Sequence, residues 1–405
     1  MTATAPQTTT RRATTRRATT DAGPRDAGPR DAGPRDAGPR DAVGTGHAAC
    51  HHGEILQGVF LDGRGRRCQA LVTLPMNGPG STAHFTRRTG TPPDDVRVTP
   101  AGRTKARAAA VLALRECAAR LPAAPCGGVL TLTGDIPVGL GMGSSTSDVI
   151  ATVRAVADAW GVRLPPRTIA GLAVRAEGAS DPLMLAPGPP LLFAQREGRT
   201  LEALGPALPP AVVLGCALGG GAPVDTLALP APAYDARDLD TYEHLRRMLR
   251  RAVTDGDSAL LGRVSTASAR LGQRRLTHAE FPVLTRIADR VGAVGVQIAH
   301  SGNVAGVLFD PRAPGLNARL HRCARDLERE GVTPTRVFTT HPSPTSAASP
   351  PGPASPPGPA SPTSLTSPTS PSTSSEDSSR GRAHLGSHRP TGPDTSRRRT
   401  RLPAV

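Results

Sequence analysis

The stretch Gly134–Asp148 reads GDIPVGLGMGSSTSD. It sets Gly139, Gly141 and Gly143 directly ahead of Ser144, Ser145, Thr146 and Ser147, where an apolar helical pattern begins. Glycine has no Cβ, so its backbone amides can approach a ligand closely and take positive φ. The first amides of a helix lack intrahelical partners and sit at the positive end of the helix dipole. Together these features form an anion site suited to phosphate. The four hydroxyls add donors for phosphate oxygens and hard oxygen ligands for Mg²⁺. A serine cap after a flexible loop would explain the same residues without a ligand. The stretch is not a GxxxxGK[ST] loop, and Lys105, the only lysine in the chain, stands far upstream; the pocket is therefore read as lysine-free. It is not a dinucleotide fingerprint either, because serines occupy the place of the third glycine. A second candidate, HAACHH at His47–His52, has no partner cluster at zinc-like spacing and is read as non-metal.

The loop needs a strand before it and a helix after it. GGVLTLTGDIP reads as a strand ending at Pro137, and Ser145–Gly161 as a helix stopped by glycine. Upstream, QGVFLDG and CQALVTLPM alternate like short strands, and Thr104–Leu121 has helical spacing. Downstream, PPRTIAGLAVRAEGAS starts with prolines suited to a first helical turn. PLLFAQREG and PAVVLGCAL follow as strands. Helices are predicted over Asp238–Asp255, Asp257–Leu271, Phe281–Val291 and Leu316–Glu330. The strand pair GAVGVQIAHSGNVAGVLFD and a last strand TRVFTT complete the pattern. Strands and helices alternate without a regular βαβ rhythm, which predicts an α+β fold with two lobes.

The ends of the chain differ from this middle. Four tandem DAGPR copies, Asp21–Arg40, and a Pro/Ser-rich run ending in RRRTRLPAV have no apolar face to bury. Residues 1–43 and 342–405 are therefore expected to be disordered tails, and their removal is expected to be tolerated. The net charge of +16 is spread over tails and middle, and aromatic residues make up 2%. Such a surface favours anions in general but lacks the stacking platforms of single-strand binders, so no specific nucleic-acid partner is expected. No segment approaches the about 20 apolar residues of a membrane span, and the Arg11 and Arg16 pairs precede no hydrophobic signal region. The six cysteines lack CxxC spacing and read as reduced thiols of a cytoplasmic protein.

PVGLGMGSSTSD, Pro137–Asp148, resembles the Pro-x-x-x-Gly-Leu-Gly-Ser-Ser-Ala phosphate loop of GHMP kinases, the group of galactokinase, homoserine kinase and mevalonate kinase. GEILQG, Gly53–Gly58, resembles the Gly-Glu-Leu-x-Gln-Gly signature of the propanediol-utilisation L-threonine kinase branch. AHSGNVAGVLFD, Ala299–Asp310, resembles the third motif of that branch. The motifs follow the family's order. The loop is richer in glycine than the usual form, and the third motif lacks the Gly-Ala-Gly-Gly-Gly run of other members.

The resemblance implies a two-lobed GHMP kinase fold. Residues 44–205 would form a ribosomal-S5-like ATP-binding lobe, and 206–341 a ferredoxin-like C-terminal lobe. It implies that Pro137, Gly139, Leu140, Gly141, Met142, Gly143, Ser144, Ser145, Thr146 and Ser147 hold ATP. Ser145 and Glu177 would hold Mg²⁺. Asp181, in the Ser180–Pro182 stretch, would take a proton from a substrate hydroxyl or cap the turn before Pro182. Asp148 is the rival base, or a residue that favours the helix dipole. Glu54 and Gln57 would face an alcohol bearing ammonium and carboxylate groups, with His300 and Ser301 in the same cleft. The expected activity is ATP-dependent phosphorylation of L-threonine or a related hydroxy amino acid. The alternatives are another alcohol acceptor, such as homoserine or a sugar, or a nucleotide-binding scaffold without turnover.

Overall fold

Two long strands dominate the fold. They are β1 (Val43–Leu61) and β2 (Arg67–Arg88), paired antiparallel along most of their length. The turn between them is held by Asp62, whose side chain accepts from the Arg64 and Arg66 amides at 2.9 and 3.0 Å. The computed structural model describes residues 42–136, 140–224 and 233–340, so residues 1–41 and 341–405 lie outside these, as do Pro137 and Gly139; the N-terminal tail boundary at 43 is corrected, because Val43 already pairs with Thr86 as the first residue of β1. β3 (Val96–Thr99), β4 (Gly127–Gly134), β5 (Leu191–Ala194) and β6 (Arg199–Ala203) complete a six-stranded sheet. Its order is β3-β4-β2-β5-β6, with β1 also on β2.

Three helices cover this sheet: α1 (Thr104–Ala118), α2 (Ser144–Ala159) and α3 (Pro166–Glu177). Their small apolar faces pack closely. Ala109, Ala110 and Ala113 of α1 meet Val149, Ile150 and Val153 of α2 in one core with Phe85 and Leu130 of the sheet. α2 is buried on nearly every side, so the glycine loop ahead of it is anchored to a rigid element.

The second sheet holds β7 (Val212–Ala217), β8 (Gly295–Ile298), β9 (Val304–Phe309) and β10 (Thr333–Thr339), in the order β10-β7-β9-β8. Helices α4 (Ala236–Asp255), α5 (Ser258–Gly272), α6 (Phe281–Arg290) and α7 (Leu316–Arg329) flank it. Leaving aside the extra helices after β7, the order of strands and connecting helices is the split βαβ arrangement of ferredoxin-like folds. Gly256 and Asp257 separate α4 from α5. Gly256 takes a left-handed C-cap, and the Asp257 side chain accepts from the Leu260 amide at 2.8 Å. β1 links the two sheets: its Ile55, Leu56 and Phe60 share a core with Tyr242 and Leu249 of α4 and Leu261 of α5.

β1 is irregular where it matters for the site. Its register against β2 shifts between Ala49 and His51, between His51 and Glu54, and between Glu54 and Leu56. His51 faces Pro75, which has no amide to give the ladder, and Gly53 lies at φ +67°. Such bulges re-aim side chains, often beside functional sites.

Candidate active site

A cleft of about 560 Å³ is lined by Gly141, Gly143, Ser144, Ser145 and Thr146 at the start of α2, with Glu177 at the end of α3 and Asp181 just after it. Glu54 and Gln57 of β1 and Ser301 before β9 also line it. Leu140, Met142 and Ser147 belong to the same loop but turn away from the cleft. Met142 and Leu140 pack with Cys50, Ala299 and Val304, and the Ser147 hydroxyl donates to the Ala49 carbonyl at 2.7 Å.

The glycines serve protein contacts as well as ligand access. A Cβ on Gly302 would lie 2.3 Å from the Gly141 amide nitrogen, so the loop and the turn before β9 meet backbone to backbone. The Val304 amide donates to the Leu140 carbonyl at 2.8 Å across the same contact. Gly143 is the N-cap of α2 at φ +69°, and a Cβ there would lie 2.4 Å from His51 Nε2. No side chain caps α2, so its first amides are left to the cleft.

Two polar groups stand at this helix tip. Ser145 Oγ donates to one oxygen of Glu177 at 3.0 Å, and Thr146 Oγ1 to the other at 2.9 Å. Burial pushes the Glu177 carboxyl up to about 7, aided by the charge of Asp181 and opposed by the two hydroxyls. Three hard oxygen donors thus converge where the sequence expected only Ser145 and Glu177, a set that suits Mg²⁺.

The other group was not expected. His51 Nε2 lies 3.0 Å from Asp181 Oδ2, and Nδ1 lies 3.1 Å from the Gly53 carbonyl. Both partners only accept, so both ring nitrogens donate and the ring is a cation. Burial opposes that charge, but the neighbouring Asp181 outweighs it and raises the ring's pKa to about 9. For Asp181 burial acts upward, and the His51 cation and its hydrogen bond bring the carboxyl below its usual value. His51, Glu54 and Asp181 present ligand atoms within 4.8 Å of one another, close enough to share a cation; the protons on His51 already meet that charge.

Asp181 precedes a 3-10 turn, Pro182–Leu185, yet its side chain makes no cap hydrogen bond; it turns to His51 instead. Asp148 is tied on both oxygens, accepting from Ser81 Oγ at 2.6 Å and pairing with Arg103 at 3.1 Å. Glu54 is buried and accepts from the His300 amide at 3.0 Å. His300 stands behind it, its Nε2 3.3 Å from Ser268 Oγ. The pair supports the turn before β9 from beneath. The sequence reading of the pocket as lysine-free is corrected: Lys105, in the first turn of α1, lines the cleft with Arg103 and Thr104. Lys105 and Ser144, 39 positions apart in the chain, line one cleft because α1 packs beside α2, a relation that linear spacing does not carry.

Residues 106–186, which run from within the first turn of α1 through the loop, α2 and α3 past Asp181, match the GHMP kinases N terminal domain. The chain carries a GHMP kinase N-terminal domain. An L-threonine kinase from Salmonella typhimurium is 28% identical over 189 residues. That match covers 43% of this chain and 57% of the relative, so the chain spans little more than half the length of the curated protein it matches. A homoserine kinase from Cytophaga hutchinsonii superposes with a TM-score of 0.53 at 15% identity, over 74% of this chain and 95% of that one. MDDEF in complex with MVAPP, AMPPCP and magnesium gives 0.51 at 15%, over 74% and 97%. These structures share the fold: mixed α+β, as the sequence predicts. Among the described residues no helix is long and apolar enough to cross a membrane, and all six cysteines are free thiols.

Proposed function

We propose that this protein is an ATP-dependent kinase that phosphorylates the hydroxyl of L-threonine or a related hydroxy amino acid. The observation that carries this reading is the uncapped start of α2 set between the Ser145–Thr146–Glu177 cluster and the His51–Asp181 pair. Residues 44–205 act as the ATP-binding lobe and 206–341 as the second lobe.

In this reading the first-turn amides of α2 and the Ser144 hydroxyl bind the nucleotide's phosphates. Ser145 and Glu177 hold Mg²⁺, which neutralises phosphate charge when bound. Asp181 accepts the hydroxyl proton as the acceptor oxygen bonds to the terminal phosphorus. The bond from that phosphorus to the bridging oxygen breaks, and ADP leaves. His51 fixes the Asp181 side chain through Oδ2 and keeps it ionised. Asp148, held by Arg103 and Ser81, braces the helix. Most of the rate enhancement then comes from positioning and charge neutralisation.

The acceptor reading has two supports. One is the similarity to an L-threonine kinase. The other is the lining of the cleft, where Gln57, Gln69, Gln195, Arg196 and Ser301 offer amide, hydroxyl and cationic groups. These suit the carboxylate and polar substituents of a hydroxy amino acid. Glu54 is engaged by the His300 amide, which leaves Gln57 as the β1 side chain that meets the acceptor.

ADP release by purified protein, measured over a panel of hydroxy amino acids, sugars and other alcohols, tests this. The expected outcome is Mg²⁺-dependent turnover with L-threonine or a near analogue. Turnover with a sugar alone moves the acceptor class, and nucleotide binding without turnover on any alcohol makes the protein a scaffold.

A further inference from the structure

We propose that Lys105 is the side chain that grips the terminal phosphate of the nucleotide, an inference that rests on the kinase reading above. Of the chain's 49 lysine and arginine residues, Lys105 alone is lysine. That one lysine lines the cleft.

Its position runs against local preference. Lys105 lies in the first turn of α1, where the helix dipole disfavours a cation, and that turn holds no acid to offset it. Among the described residues it has no carboxylate within ion-pair distance, although it is half-buried. Its neighbour Arg103, by contrast, is fixed on Asp148 at 3.1 Å. This cation has no ion-pair partner among the described residues and sits at the unfavourable end of its helix, so its charge is available to an anion in the cleft. Its charge is felt by Glu177, which places it on the side of the cleft where the Ser145 and Thr146 hydroxyls converge. An anion bound over the start of α2 is therefore within its field. An ammonium is a compact charge with three donors on a flexible stem, so it can follow a phosphate group in a way a planar guanidinium cannot.

Because Lys105 is the only lysine, an amine-directed acylating reagent has two targets in the native protein, this side chain and the N-terminus, and peptide mapping separates them. Saturating MgATP is expected to slow labelling of Lys105 at least several-fold while the N-terminus reacts unchanged, and AMP is expected to protect far less. In Lys105→Met, ATP affinity by equilibrium dialysis should fall roughly 10- to 100-fold, the scale of a hydrogen bond to a charged group, with AMP affinity nearly unchanged. If wild type binds ATP but labelling of Lys105 is unprotected, or if the Met variant keeps ATP affinity within about twofold, the assignment to Lys105 is wrong and the kinase reading stands. If wild type binds no ATP, both fall together.

Discussion

Replacing Asp181 by asparagine tests the His51–Asp181 pair without changing its shape. His51 is 2% exposed, so solvent does little to weaken the pair. Its pKa rises from 6.5 in the free side chain to about 9 in the fold. At about 1.4 kcal/mol per pH unit, that shift is worth roughly 3 kcal/mol of folding free energy. Because the folded value is the higher one, the contribution is complete below about pH 6.5. It drains away as pH rises and is gone above about 9. Asp181, held below its usual value, adds stability that is lost only in acid. In Asp181→Asn the ring keeps its burial and the weaker pull of Glu54 but loses the larger charge that offsets burial, so it should be largely neutral across the same range. Unfolding free energies by urea titration should therefore fall between pH 6.5 and 9 by roughly 3 kcal/mol more in wild type than in Asp181→Asn. Parallel curves for the two proteins, or a His51 ring signal titrating near its free value, would refute the cationic pair. It would also remove the reason to regard Asp181 as a fixed, ionised base.

Ser145→Ala and Glu177→Ala should each lower turnover roughly 100-fold, the usual scale for losing one preorganised polar group, with melting temperatures close to wild type. Asp148→Asn should retain far more activity than Asp181→Asn in the same assay; the reverse order would make Asp148 the base. Gly143→Ala should cost about 1–2 kcal/mol from its positive φ alone. It should also push His51 off Asp181, read as a downward shift of the ring's titration by NMR.

The sequence made the local parts of this site legible. The glycine and hydroxyl run ahead of α2 needs no distant partner to be recognised, and the Gly256-Asp257 break between α4 and α5 is written in cap chemistry. Glu177 at the end of α3 entered through the resemblance to GHMP kinases, not through local order. What the sequence hid is held by residues far apart in the chain. His51 gains its meaning from Asp181, 130 residues away, and Lys105 from a helix packed beside its own. Pro75, Gly78 and Pro79 look like the end of a strand, so β2 seemed to stop near Met76, although it continues to Arg88.

His51 was hidden by the strand that carries it. β1 leaves regular alternation between Ala49 and Leu56, where its register against β2 shifts three times. A strand in perfect register would have been easy to read, but it would send alternate side chains to opposite faces. The irregular stretch instead brings His51 to Asp181 and the α2 cap, Glu54 to the His300 turn, and Gln57 to the cleft. The broken pattern in ACHHGEI is therefore itself a signal. A run of polar residues around a glycine, inside a strand that is apolar on either side, marks the place where the chain gives up ladder hydrogen bonds to aim side chains. Restoring regular pairing there would strengthen the sheet and disassemble the site.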